Sequence, residues 1–256
     1  MKSHACTFRN THFKSVSLII TTYNQEQHLK MVLDSVLNLA CLPSEVLIAD
    51  DGGRGTQALM ARYQPLFAQK NLPLRHVWQE DLGFRAAKNR NNAIEEAMGE
   101  YIIVIDTDMI LSPMFVYDHM HFARPKVLAQ GGRILLNPKE SQRILECRDF
   151  SLAYAKKSLK NRRILSLAKL IYKHRKVTKK IFNTRTIVPG VRSCNMGFSK
   201  QDCLDIAGFN ENFVGWGRED SEFVARFLFN HGTLKPLKFC PRLPLAPRGK
   251  RPQPAV

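Results

Sequence analysis

No stretch of this 256-residue chain approaches the roughly eighteen consecutive apolar residues that a membrane-spanning helix requires; the best apolar runs are 16–20 and 101–105. Residues 1–14 are polar and lack the apolar centre of a secretory signal, which points to a cytosolic setting. The six cysteines, Cys6, Cys41, Cys147, Cys194, Cys203 and Cys240, include no Cys-x-x-Cys pair and form no dense framework. They are therefore expected as reduced thiols, neither a disulfide scaffold nor a zinc site. Also missing are a Gly-x-Gly-x-x-Gly turn after the first strand, a phosphate-cradling Gly-x-x-x-x-Gly-Lys-Ser/Thr loop, a His-Glu-x-x-His helix and a Gly-x-Ser-x-Gly elbow. Dinucleotide, P-loop, metalloprotease and serine-hydrolase chemistry lose their main support with them.

Acid is scarce as well, but only in places. Lys and Arg number 39 against 22 Asp and Glu, a net charge of +17. Such a basic chain first suggests a nucleic-acid partner. Residues 156–180 hold eleven Lys/Arg and no acid, however, and residues 235–256 hold six and no acid; the other 209 positions balance at 22 of each sign. Only Tyr172 lies among the basic residues of 156–180, too few aromatics for a base-stacking surface, and no nucleic acid is expected.

What is present is an alternation. Strand-like runs at 16–21, 46–49, 74–78 and 101–105 are separated by helix-like segments at 25–39, 56–70 and 86–98, each with apolar residues at helical spacing. This βαβαβαβ order predicts an α/β fold with a parallel sheet and helices on both faces. Ligands of such sheets collect at the carboxyl ends of the strands. Three polar clusters fall there: Thr21-Thr22-Tyr23-Asn24, Asp50-Asp51 and Asp106-Thr107-Asp108. Two hard oxygen ligands after an apolar strand suit Mn²⁺ or Mg²⁺ bridging a diphosphate, although an Asx turn ahead of Pro113 would use the same residues. Further on, Gly215-Trp216-Gly217-Arg218-Glu219-Asp220 opens a helix pattern. Its acids either merely start that helix or, beside an exposed Trp, bind a sugar face and remove a hydroxyl proton.

These residues together resemble the inverting nucleotide-sugar glycosyltransferases of family 2, with the GT-A fold, and the later part resembles a galactosyltransferase-type region carrying Gly-Trp-Gly-x-Glu-Asp. The resemblance rests on Ser17-Leu18-Ile19-Ile20-Thr21-Thr22-Tyr23-Asn24, Ala49-Asp50-Asp51-Gly52-Gly53, Glu80-Asp81-Leu82-Gly83-Phe84-Arg85 continuing to Asn91, Asp106-Thr107-Asp108, Cys194-Asn195-Met196-Gly197-Phe198, and Gly215 to Glu222. It implies a mixed, mostly parallel sheet forming one catalytic domain over 15–235, with a nucleotide-sugar half at 15–110 and an acceptor half at 111–235. It also implies roles. Thr21 and Tyr23 line the nucleoside pocket, Asp51 or Asp50 binds the uracil edge of a UDP-sugar, and Asp81 and Arg85 lie by the base and ribose. Arg85 or Arg90 nears the diphosphate, Asp106 reaches ribose or metal, Asp108 the metal, Trp216 and Glu219 hold a saccharide or lipid-linked acceptor, and Asp220 is the catalytic base.

Two segments depart from the pattern. A basic insertion at about 143–187 reads as amphipathic helix, suited to an anionic membrane surface, and implies a peripheral site on the inner face of the cell membrane. Relatives carry a metal-binding histidine some distance after the acidic pair; here 236–256 is an irregular Pro/Arg-rich tail with no histidine. Either that tail is a surface-binding extension or the reading frame has changed near Cys240. The second possibility leaves open a nucleotide-sugar-binding remnant with impaired catalysis.

Overall fold

The structure is a computed structural model, and it describes residues 11–133, 136, 138–147, 150, 192–215, 217–237 and 243–244. The first half follows the expected alternation: β1 (Val16–Thr22), α1 (Glu26–Leu37), β2 (Glu45–Asp50), α2 (Thr56–Ala68), β3 (Leu74–Trp78), α3 (Ala86–Glu96) and β4 (Tyr101–Asp106). The second half adds β5 (Met109–Ile110), α4 (Phe115–Phe122), β6 (Val127–Gly131), α5 (Pro138–Cys147), β7 (Asn195–Ser199), α6 (Lys200–Leu204), α7 (Glu219–Phe229), β8 (Thr233–Leu237) and β9 (Leu243–Pro244). Seven strands form one sheet in the order β3-β2-β1-β4-β7-β6-β8. Only β7 runs against its neighbours, antiparallel to both β4 and β6.

The inner strands are apolar on both faces because both faces are covered. Leu18, Ile20, Val46, Ile48, Ile103 and Ile105 pack with Leu29, Val32 and Leu33 of α1, Tyr63 and Phe67 of α2, and Phe115 and Met120 of α4. The alternate residues, Ile19, Leu47, Ala49, Ile102 and Val104, meet Ala93 and Ile94 of α3 and Phe223, Val224 and Phe227 of α7. On that second side Phe209 stacks on Phe223 with ring centres 4.1 Å apart, and Phe198 lies 5.2 Å from Phe223. This aromatic cluster seats α7 against the sheet.

The helix α3 is unusually polar for a core-facing helix, and its polar residues act as clamps. Asn89 donates to the Ala49 carbonyl at 2.9 Å. Asn91 exchanges two hydrogen bonds with the Phe209 backbone, both 2.8 Å, and Asn92 donates to Gln79 at 3.0 Å. One helix thus joins β2 and the residue after β3 to the loop that precedes α7.

Two expectations change. Cys41 is disulfide-bonded, whereas Cys147, Cys194 and Cys203 are in no disulfide; spatial proximity decides pairing, and sequence spacing does not report it. Of the tail expected to be irregular from 236, Pro236 and Leu237 complete β8, and Leu243–Pro244 pairs antiparallel with β5. Pro236 is tolerated because β8 is the edge strand, where a missing N–H can face away from the ladder. The basic segment 156–180 lies outside the described residues, as do Trp216 and Cys240.

Candidate active site

Register alignment brings the expected strand-end clusters together. Thr22 pairs with Asp50 and Thr21 with Asp106. The ladder continues one step past the strands through Asp51 N–H to Thr22 O, Thr107 N–H to Thr21 O and Gln79 N–H to Asp50 O, each 3.0 Å. Because β7 is reversed, its amino end joins the same rim, with Asn195 opposite Ile105.

One end of the rim is built from Tyr23, Asp51 and Asp81. The Tyr23 hydroxyl donates to Asp81 Oδ2 at 3.1 Å, which raises the phenol's pKa, with the Asp81 charge adding to it. Asp51 Oδ2 accepts the Arg85 N–H at 3.0 Å, and its Oδ1 accepts from Gln79. Burial still holds Asp51 above the usual carboxylate range, against those hydrogen bonds. Gly52, at φ +92°, is required between them: a Cβ there would come within 2.4 Å of the Asp81 Cβ. The structure separates the two adjacent aspartates. Asp50 is fully buried and turned inward, accepting the Gly53 N–H at 2.8 Å and lying 3.0 Å from His76 Nε2.

The middle of the rim carries Asp106 and Asp108. Asp106 Oδ1 accepts from the Thr21 hydroxyl at 3.2 Å and lies 3.9 Å from Arg90 Nη2; its side chain keeps 39% exposure. Its pKa is raised, by desolvation first and by the Asp220 charge, with Arg90 and Thr21 opposing. Asp108 is pushed up to about 6 by desolvation and the charge of Asp106, while Arg133 pulls the other way. Asp108, raised by burial and by the neighbouring Asp106 charge, is poorly compensated as it stands.

At the far end, α7 opens with Glu219 and Asp220, acids that the helix dipole favours in a first turn. Glu219 is 8% exposed, and its Oε1 lies 3.2 Å from Arg90 Nη1. Desolvation raises its pKa, and Arg90 lowers it. Asp220 is half-buried and accepts the Ser193 N–H through Oδ2 at 3.1 Å. The Ser193 turn is itself held by Gln130, which accepts the Arg192 N–H at 3.2 Å and donates to the Arg192 and Asn195 carbonyls at 3.0 and 2.8 Å. Trp216 lies outside the described residues.

Unpaired polar atoms gather on this rim. Thr22 Oγ1, Thr107 Oγ1, Asp108 Oδ1 and the Nε atoms of Arg85 and Arg90 are buried with no hydrogen-bond partner. Native proteins leave few such groups unless a ligand or solvent completes them. At the opposite edge of the sheet, the buried Glu45 is fully engaged with Ser17, Arg75 and the Met98 N–H. The chemistry of the Asp106 and Asp108 oxygens suits a hard divalent ion that takes its other ligands from phosphate and water. Among the described residues no group of three or more His, Cys, Asp or Glu could hold a metal by itself.

The rim includes residues that sequence reading passed over: Gln79, Gln130, Arg133 and Ser193. Gln79 directly follows the last residue of β3 and could have been found by the same strand-end rule as Asp106. Arg133 and Ser193 could not, because β6 and β7 are short and lack a clear pattern.

The chain is similar to known proteins in both sequence and fold. The profile described as glycosyl transferase family 2 matches residues 17–194, and the one described as the N-terminal domain of galactosyltransferase matches 173–244. The second match runs past Cys240, so the Pro/Arg-rich composition of 245–256 begins beyond it. A chondroitin synthase of Pasteurella multocida is 27% identical over 232 residues, 85% of this chain and 23% of that protein. A validoxylamine A glucosyltransferase of Streptomyces hygroscopicus subsp. limoneus is 27% identical over 234 residues, 87% of this chain and 49% of that one. The chain thus spans between about a quarter and a half of these relatives' lengths. Among solved structures, a mannosyltransferase from Pyrobaculum calidifontis in complex with GDP-Man and Mn²⁺ superimposes with a TM-score of 0.61 at 17% identity, over 98% of this chain and 62% of that one. Residues 1–349 of S. aureus TarS with UDP-GlcNAc give 0.60 at 18% identity, over 94% and 61%. These likenesses establish the GT-A fold. With a family profile that covers well over half of its residues and includes Asp51, Asp81, Asp106 and Asp108 of the rim, the chain belongs to glycosyl transferase family 2.

Proposed function

We propose that this chain is a metal-dependent, inverting hexosyltransferase. It moves a hexose or N-acetylhexosamine from a UDP-sugar to a glycan or lipid-linked saccharide, in synthesis of a bacterial surface polysaccharide or lipopolysaccharide. The observation that carries this reading is the set of unpaired buried polar atoms, Thr22 Oγ1, Thr107 Oγ1, Asp108 Oδ1 and Arg85 Nε, on the strand-end rim that also carries two carboxylate pairs, Asp106/Asp108 and Glu219/Asp220. The surface-polysaccharide role is supported by relatives named chondroitin synthase and hyaluronan synthase.

Thr21, Tyr23, Asp51 and Asp81 bind the nucleoside, and Arg85, the more exposed of the two candidate arginines, faces the diphosphate. Asp106 and Asp108 hold Mn²⁺ or Mg²⁺, which supplies neutralisation of the charge that develops on the departing diphosphate. Trp216 and Glu219 hold the acceptor. Asp220 is the base: Oδ2 is fixed by the Ser193 N–H, leaving Oδ1 to take the proton of the attacking hydroxyl. The acceptor oxygen bonds to the anomeric carbon as the bond from that carbon to the diphosphate oxygen breaks. The electron pair of the broken bond leaves on the diphosphate, and the proton remains on Asp220. Attack from the face opposite the leaving group turns an α-linked donor into a β-linked product.

A panel of UDP-sugars, with GDP-mannose as comparison, tests this reading by thermal shift and UDP release with and without Mn²⁺. One UDP-sugar is expected to stabilise the protein and be turned over only with the metal. Stabilisation without turnover would identify a binding remnant; no response to any nucleotide-sugar would end the proposal.

Among the described residues no helix is long and apolar enough to cross a membrane. We assign attachment at the inner face of the cell membrane to the basic segment 156–180, where each Lys or Arg near an anionic surface contributes about 1 kcal/mol. Retention on phosphatidylglycerol-containing liposomes at low salt, lost at about 0.5 M salt as screening predicts, is the expected result. Equal retention on neutral liposomes would refute it.

A further inference from the structure

Resting on the reading above, the geometry points to Arg90 as a positioning residue that ties the amino end of α7 to the metal-binding end of β4 through Glu219 and Asp106, with the diphosphate left to Arg85. No other described cation has ion pairs reaching both of these elements.

Its surroundings argue against a ligand-facing role. Arg90 is 4% exposed, and its guanidinium carbon sits 5.3 Å from the centre of the Phe209 ring. Nη1 meets Glu219 at 3.2 Å, and Nη2 faces Asp106 at 3.9 Å, a Coulombic contact and too long for a hydrogen bond. The N–H without a partner, Nε, is the one nearest the stem, behind the two nitrogens that already face carboxylates. The arginine therefore bridges carboxylates on two elements far apart in the chain, β4 and α7.

The consequence for the reaction is spatial. Asp220 follows Glu219 in the first turn of α7, so anchoring Glu219 sets how far the base stands from the donor held at Asp106. Asn91, the next residue of α3, clamps Phe209, so Arg90 and its stacking ring are fixed by the same helix. Removing a single partner from such a buried pair leaves an uncompensated charge and disturbs geometry as well as energy. An error of about 1 Å in placing a base can lower a rate a hundredfold.

The test compares Arg90→Gln, Arg90→Lys, Glu219→Gln and the Arg90→Gln/Glu219→Gln double variant with the unaltered protein. Mn²⁺-dependent UDP binding is measured by calorimetry, and Mn²⁺-dependent UDP release from the UDP-sugar in kinetics. Arg90→Gln is expected to lower kcat about 10- to 100-fold while the Kd for UDP changes less than about threefold. Glu219→Gln should lower kcat similarly, and the double variant should be no worse than the poorer single one, because the residues act as a unit. Arg90→Lys, which keeps the charge, should recover part of kcat. A tenfold or larger rise in the UDP Kd with kcat preserved would return Arg90 to the diphosphate and overturn the proposal, as would strictly additive losses. If Arg90→Gln fails to fold, Arg90→Lys in the Glu219→Gln background gives the same comparison. Failure of the unaltered protein to bind UDP with Mn²⁺ would instead refute the transferase reading.

Discussion

Asp220→Asn is expected to lower sugar transfer by about 10²- to 10⁴-fold, the usual contribution of a positioned general base, while UDP and Mn²⁺ bind almost as before. Asparagine matches aspartate in shape, and its amide oxygen can still accept the Ser193 N–H that holds Asp220 at 3.1 Å. What it cannot do is take a proton on the other atom, which becomes an NH₂ group. The variant thus separates chemistry from architecture. Calorimetry for UDP with Mn²⁺ and a radiolabel transfer assay should diverge by at least tenfold. Parallel loss in both would mean that Asp220 serves the fold or the donor, and its assignment as base would fall.

Asp108→Asn should have two effects of opposite sign. Metal-dependent UDP binding should weaken by at least tenfold, because one of two hard oxygen ligands loses its charge. The metal-free protein should nevertheless become more stable. In the native state Asp108 is pushed up to about 6 by desolvation and the Asp106 charge, from 3.8 in the unfolded chain. Between those values the folded form binds a proton that the unfolded form has released, so stability falls as pH rises through that window. At pH 7 both forms are ionised and the deficit persists. A neutral side chain removes it, with an expected gain of about 2–5 °C in Tm. Mn²⁺ with UDP should raise the Tm of the unaltered protein and leave that of the variant unmoved. A metal-induced shift that survives in Asp108→Asn would place the ion elsewhere.

The two experiments examine opposite ends of one rim, and the structural link between those ends was the part least accessible from sequence. Asp106 and Asp108 were found by their place after an apolar strand. Tyr23, Asp51 and Asp81 were proposed in the same way or by resemblance, and the Tyr23–Asp81 hydrogen bond and the Gly52 turn bring them together. Asp50 and Asp51 could not be told apart, since both follow the same strand and only packing turns Asp50 toward Gly53 and His76. Arg90 could only be grouped with Arg85, because its partner Glu219 lies 129 residues away. The tail looked irregular from its Pro and Arg content; Pro236 nevertheless lies in β8, whose edge position tolerates it.

By itself the sequence determined the first four strands and their helices, the rim on which polar strand ends gather and the pair of carboxylates suited to a divalent ion. Side-chain periodicity and polar strand ends are local properties, written within windows of ten or twenty residues. Only the tertiary structure decided that β7 enters reversed between β4 and β6, that Cys41 is paired, and that Arg90 spans Asp106 and Glu219. Each of these depends on contacts between segments far apart along the chain. Such contacts form only when the folded core brings those segments together, and no local preference encodes which of them will meet.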